Sequence, residues 1–88
     1  MYYVYIIQNQ EGKRYIGYTG DLRNRIESHN KQSKGYTGKS ESEWRLIYYE
    51  AYRSKKDALT RERRLKQHGN ALRQLYKRIV KSLEPSEC

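Results

Sequence analysis

The sequence predicts an α+β domain in which a three-stranded antiparallel sheet is flanked by three helices, in the order β-β-α-β-α-α. Three observations carry this. Two runs of aromatic and β-branched residues, Tyr2 to Ile7 and Arg14 to Thr19, are separated by turn chemistry from Gln8 to Gly12. A third run of the same character, Trp44 to Tyr52, follows a helical segment and a polar stretch. Two later segments, one opened by Ser54 and one following Asn70, repeat apolar residues at helical spacing.

The first two runs read as a hairpin. Pairing Tyr5 opposite Tyr15 puts Tyr3, Tyr5, Tyr15 and Gly17 on one face, and Val4, Ile6 and Ile16 on the other, which is the natural core. Thr19, Gly20 and Asp21 then offer capping oxygens, and Leu22 to Asn30 reads as a helix of two to three turns. Leu22, Ile26 and His29 line one stripe of it, and Arg25 lies one turn before His29 at the stripe's edge. Lys31 to Glu43, polar and containing Gly35 and Gly38, reads as an exposed loop. It carries Lys34, Tyr36, Thr37 and Lys39, which we take as candidate nucleic-acid contacts.

Ser54 caps a helix running to about Gln67. At roughly 100° per residue, Glu62 falls on the same arc as Ala58 and Leu65, so a carboxylate sits on the apolar face. An unpaired buried charge is costly, so Glu62 is expected to meet a cation, bind a metal or stand at the mouth of a cleft. A salt bridge to Arg25 or to a lysine satisfies the same requirement. Gly69 reads as a helix stop and Asn70 as the next N-cap, before a last helix whose Leu72, Leu75, Tyr76, Ile79 and Leu83 face the core.

At 88 residues the chain has room for one domain, placed at 1–83 with 84–88 as a frayed C-terminal tail. A chain of this size buries only about 60 to 65% of its unfolded surface. There is no Phe, but there are ten Tyr and one Trp, so almost every aromatic carries a hydrogen-bonding group suited to a half-wet surface. Nineteen Lys and Arg against ten Asp and Glu leave a formal charge of +9, which favours polyanions and above all nucleic acid. A merely solubilising basic surface is the plain alternative. The one cysteine, Cys88, excludes an intrachain disulfide. The apolar run Val4 to Ile7 is too short for a signal peptide or a membrane span, so a cytoplasmic protein without a membrane partner is expected.

Hydrolysis of a phosphodiester needs a water, a proton acceptor, a cation for the phosphate charge and help for the leaving oxygen. Tyr5, Tyr15, Arg25 and Glu62 supply suitable groups: phenols that nearby positive charge can acidify, a planar guanidinium fork, and a hard oxygen ligand. Two histidines and a terminal cysteine cannot build a four-ligand zinc site, and IGYTGD lacks the lysine of a P-loop.

Tyr3-Val4-Tyr5, then Tyr15-Ile16-Gly17, Arg25, His29-Asn30 and Glu62, in that order, resemble the motifs of a GIY-YIG nuclease domain over residues 2 to 80. The resemblance is greatest to small stand-alone bacterial members related to the N-terminal nuclease domain of the excision-repair excinuclease. It implies a divalent-metal-dependent endonuclease acting on DNA, with structure-specific cleavage in repair or recombination as the corresponding role. It also implies residue roles. Tyr5 would activate the attacking water, Tyr15 would orient water or phosphate, and Arg25 would stabilise developing charge. Glu62 would hold one Mg2+ or Mn2+, and His29 would be auxiliary. Tyr3 replaces the glycine that names the first motif, and Gln74 stands near a late asparagine of the excision-repair members. Tyr18 replaces their lysine close to the tyrosines and joins the candidate nucleic-acid contacts. No attached DNA-binding domain is evident, so a partner protein, a dimer or a distinctive DNA structure is expected to supply selectivity. The competing reading is a non-catalytic nucleic-acid-binding module that has kept the nuclease fold.

Overall fold

The computed structural model describes residues 1–37 and 43–83, and the side chains of 1–30 and 43–83. Its strands are β1 (Tyr2–Gln8), β2 (Arg14–Thr19) and β3 (Arg45–Tyr52). Its helices are α1 (Leu22–Thr37), α2 (Lys55–Lys66), α3 (Asn70–Arg78) and the short α4 (Val80–Leu83). The strands form one antiparallel sheet in the order β2-β1-β3, so β1 is its centre. Among the described residues no helix is long and apolar enough to cross a membrane.

β1 is central because its side chains are apolar or aromatic on both faces; Val4, Tyr5, Ile6 and Ile7 are all fully buried. The hairpin register differs from the one expected: Tyr5 pairs with Gly17, and Tyr15 pairs with Ile7. The slip is two residues. An even slip preserves facing, so Tyr3, Tyr5, Tyr15 and Gly17 still share a face. The turn decides the register: Asn9 Oδ1 accepts from the backbone N–H of Glu11 and Lys13, and Gly12 supplies the positive φ of 88°.

The two faces have different uses. Val4, Ile6 and Ile16 pack with Ala58 and Leu65 of α2 and Leu72 and Leu75 of α3, and these seven form the hydrophobic core. On this face Glu50 of β3, opposite Val4, accepts hydrogen bonds from Tyr48, Tyr52 and the Arg61 guanidinium of α2, with Arg61 Nε at 3.0 Å. Burial alone would raise the Glu50 pKa, but these donors outweigh it and hold the carboxyl below its usual range. Tyr48 and Tyr52 are in turn pushed up to about 12 by burial and by the Glu50 carboxylate. The opposite face carries Tyr3, Tyr5, Ile7, Tyr15 and Gly17, with α1 lying across it.

Three helix boundaries differ from expectation. α1 continues to Thr37, through the stretch expected to be a loop from Lys31. Lys, Gln and Ser extend a helix at little cost, and one interior glycine costs only about 1 kcal/mol. The last helix is split at Ile79, which has φ −115° and ψ 30°, so there are four helices rather than three. The adjacent β-branched pair Ile79-Val80 weakens the helix at that point. Between α2 and α3 the left-handed residue is His68, at φ 56°, and Gly69 rather than Asn70 is the N-cap. The caps of α1 and α2 match their sequence signals. Asp21 Oδ1 accepts from Asn24 N–H to start α1, and Ser54 Oγ accepts from Asp57 N–H to start α2.

Candidate active site

Gly17 is the reason Tyr5 can lie flat on the sheet. A Cβ there would fall 2.6 Å from Tyr5 Cζ and 3.0 Å from Tyr15 Cε2, so any larger residue would push the phenols away. The bare backbone of β2 is thus a seat for the Tyr5 ring. Tyr5 and Tyr15 rings then stand 6.3 Å apart, centroid to centroid.

α1 closes over them. Arg25 Nε–H donates to the Tyr5 hydroxyl oxygen at 3.3 Å, and His29 Nε2 lies 3.1 Å from the same oxygen on the next turn. A guanidinium can only donate, so the Tyr5 oxygen accepts from Arg25; in the tautomer that carries the imidazole proton on Nδ1, the phenolic O–H donates to His29 Nε2. Burial lowers the His29 pKa, and the Arg25 charge lowers it further, which keeps the ring neutral and able to accept. Its ring also packs edge-on against Tyr15, with centroids 4.9 Å apart. Asn30, the following residue, accepts from Trp44 N–H at 2.8 Å and donates to Trp44 O at 3.3 Å, tying the end of this segment to the entry of β3.

The electrostatics of Tyr5 oppose one sequence expectation. Burial raises its pKa, the Arg25 hydrogen bond and charge lower it, and the balance remains above the ordinary phenol value. Tyr5 is therefore a protonated, fully enclosed phenol, whereas Tyr15 is 38% exposed and forms the open wall of the site. Arg25 also interacts with Tyr15, so one guanidinium spans both phenols.

α2 brings the carboxylate. Glu62 has 18% of its side chain exposed and lies near enough for its charge to raise the Tyr5 pKa. Its Oε2 is 3.0 Å from Lys66 Nζ, and this pair raises the lysine pKa. Of the two pairings expected for a carboxylate on the apolar face, Glu62 thus makes the one with a lysine rather than the one with Arg25. Lys66 also stands 5.8 Å from the Tyr15 ring centroid. Sequence reasoning does not single it out, although its position four residues after Glu62 is the signal that points to it.

Thus Tyr5, Tyr15, Arg25 and His29 converge on one face, with Glu62 and Lys66 beside them. Tyr18 does not join them. It pairs with Val4 on the core face and stacks on Tyr2 at 6.3 Å, because strand alternation turns it away from Tyr15 and Gly17. The side chains of Lys34, Tyr36 and Thr37, and all of Lys39, lie outside the described residues.

Glu62 is the only carboxylate brought to this group by the interactions above, and among the described residues no three His, Cys, Asp or Glu side chains gather as a ready-made metal cluster. The donor set suits a hard divalent ion that takes one protein carboxylate and completes its shell with water and substrate oxygens.

Comparison with known proteins gives the family. Residues 1–77 match the profile of the GIY-YIG catalytic domain. UPF0213 proteins of Staphylococcus aureus strains Mu3 and N315 are 37% identical over 81 residues, covering 91% of this chain and 94% of each relative. The solution NMR structure of a UPF0213 protein from Bacillus halodurans is similar, with a TM-score of 0.52 and 30% identity over 92% of this chain and 84% of that one. The two-tyrosine face, the arginine and histidine of α1, the glutamate of α2 and these matches together make the chain a member of the GIY-YIG family, with its nuclease fold.

Proposed function

We propose that this protein is a divalent-metal-dependent endonuclease that hydrolyses DNA phosphodiester bonds. The observation that carries the reading is the Tyr5 hydroxyl held between Arg25 Nε–H at 3.3 Å and His29 Nε2 at 3.1 Å, beside a carboxylate. It is a proton path with a cation at one end and a neutral base at the other. As a water oxygen bonds to phosphorus, its proton passes to the Tyr5 oxygen and the phenolic proton to His29 Nε2, while the bond from phosphorus to the leaving ester oxygen breaks and that oxygen takes a proton from solvent. Tyr5 thus acts as base without ever being a free phenolate, which its raised pKa would disfavour.

Arg25 is an exposed residue whose guanidinium holds Tyr5 through Nε and also meets Tyr15, so a phosphate oxygen would take its terminal nitrogens in exchange for the Tyr15 contact. A phosphate that draws Arg25 outward also uncovers the buried Tyr5 hydroxyl for the water. Tyr15, half open, orients water or phosphate. Glu62 would hold Mg2+ or Mn2+, which when bound supplies a Lewis acid for charge on the phosphate and leaving oxygen. The +9 charge supports attraction of the strand to the site.

The test is cleavage of single-stranded, duplex, flap and junction DNA, and of RNA, with Mg2+ or Mn2+. Wild type is expected to cut at least one DNA substrate, and Glu62→Ala and Tyr5→Phe to cut none. Equal cleavage by wild type and both variants would assign the activity to a contaminant and remove the reading.

A further inference from the structure

We infer that the cleft behind Tyr15 is a second phosphate site, which takes a backbone phosphate of the nucleic-acid strand next to the one being cut. It has a volume of about 270 Å3 and is lined by Arg14, Tyr15, Ile16, Lys66, His68 and Tyr76. Two of these, Tyr15 and Lys66, also border the candidate active site, so the cleft begins where that site ends. The nucleic-acid strand as ligand rests on the nuclease reading; the phosphate chemistry rests on Arg14.

Arg14 is a cation held by two contacts and paired with no carboxylate among the described residues. Its Nε–H donates to Gln8 Oε1 at 2.6 Å, and its guanidinium carbon lies 4.7 Å from the Tyr76 ring centroid. Gln8 is itself anchored, since its amide donates to Leu83 O at 3.4 Å. The remaining edge of the guanidinium meets no carboxylate among the described residues, whose ion pairs are Lys13–Glu11, Arg61–Glu50 and Lys66–Glu62. Lys66, across the cleft, is neutralised by Glu62, so the excess positive charge of the cleft comes from Arg14. A guanidinium held at Nε and by its face keeps its two terminal nitrogens for a bidentate acceptor, and a phosphate is the anion that fits that fork. These two contacts restrain the side chain before any ligand arrives, so less entropy is lost on binding.

The left-handed turn at His68 adds a third group. Its φ of 56° lets the chain reverse between α2 and α3 and places the imidazole in the cleft wall, where a ring N–H can donate to the same anion.

A purely structural Arg14, clamping β2 to α3 through Tyr76, would govern melting temperature but not salt dependence. Binding of a labelled oligonucleotide, followed by fluorescence anisotropy at several salt concentrations without divalent ions, separates the two. Arg14→Gln is expected to lower the slope of log K against log salt by about 0.7 on single strands and about 0.9 on duplex. At about 0.1 M salt a slope change of 0.7 corresponds to roughly fivefold weaker binding, relative to 1 M. Arg14→Lys is expected to restore most of the slope. Should Arg14→Gln fail to fold, the Arg14 Nε–H resonance of the wild type is the readout, and it is expected to shift saturably as the oligonucleotide is added.

A slope unchanged by Arg14→Gln, an equal loss of slope in Arg14→Lys, an unmoved Arg14 resonance, or no salt-dependent binding by wild type would each overturn the proposal. The two readings fail separately. Wild type that shows the Arg14-dependent slope but cuts no substrate keeps the cleft and loses the nuclease. Wild type that cuts with a slope indifferent to Arg14 does the reverse.

Discussion

The Tyr5 hydroxyl lies 2.5 Å from the point where a Cβ on Gly17 would stand. Real Cβ contacts do not come that close, so the glycine of the second motif and the tyrosine of the first are one steric unit. Gly17→Ala is expected to displace the phenol, abolish DNA cleavage and cost about 1–3 kcal/mol in urea denaturation. Tyr5→Ala opens space for the added methyl, so the two changes should be strongly non-additive in a double-mutant cycle. Additive losses would dissolve the pairing.

In the proposed mechanism His29 gives the reaction its acid limb. Its folded pKa is held below the ordinary 6.5 by burial first and by Arg25 second. It is therefore neutral at pH 7 and charges only as pH falls below 6.5. Cleavage is expected to decline over that range as Nε2 becomes protonated, and His29→Gln should remove the limb along with most of the rate. The measurement is a pH–rate profile under single-turnover conditions.

Glu50 makes a pH-dependent contribution to stability far from this chemistry. Its folded pKa is depressed, so its contribution is present above the ordinary glutamate value of 4.5 and lost as pH falls through the folded pKa. Glu50→Gln leaves Arg61, Tyr48 and Tyr52 without their acceptor charge and should cost about 2 kcal/mol at pH 7. The gap between wild type and variant should narrow toward pH 3, as read from urea midpoints. A gap that does not change with pH would contradict the ionised assignment.

Lys66 and a divalent ion would compete for the same carboxylate. With Lys66 Nζ 3.0 Å from Glu62 Oε2, a metal must share or displace it. Lys66→Met should therefore tighten Mn2+ binding several-fold when followed by electron paramagnetic resonance, and Glu62→Ala should abolish it.

His68 holds φ 56° without being glycine. His68→Gly should raise stability by about 0.5–1 kcal/mol in thermal denaturation, since the left-handed penalty disappears. If the imidazole also serves the cleft, the same variant should bind oligonucleotide more weakly while melting higher.

By itself the sequence determined the α+β order, the hairpin and its faces, the three strands, the capped start of α2, and the core residues Val4, Ile6, Ile16, Ala58, Leu65, Leu72 and Leu75. Alternation with period 2 and apolar spacing near 3.6 are local, and a register error of two residues leaves both unchanged. It also marked Glu62 as a carboxylate out of place. The tertiary structure decided what local patterns cannot encode: which residue faces which across the hairpin, and that Gly17 is the seat of Tyr5. It also decided that the phenol pKa rises rather than falls, because enclosure by α1 outweighs the guanidinium beside it. Burial, pairing and charge compensation are sums over segments distant in the chain. Lys66 meets the Tyr15 ring, and Arg14 meets the Tyr76 ring, only when α2 and α3 come up against β2.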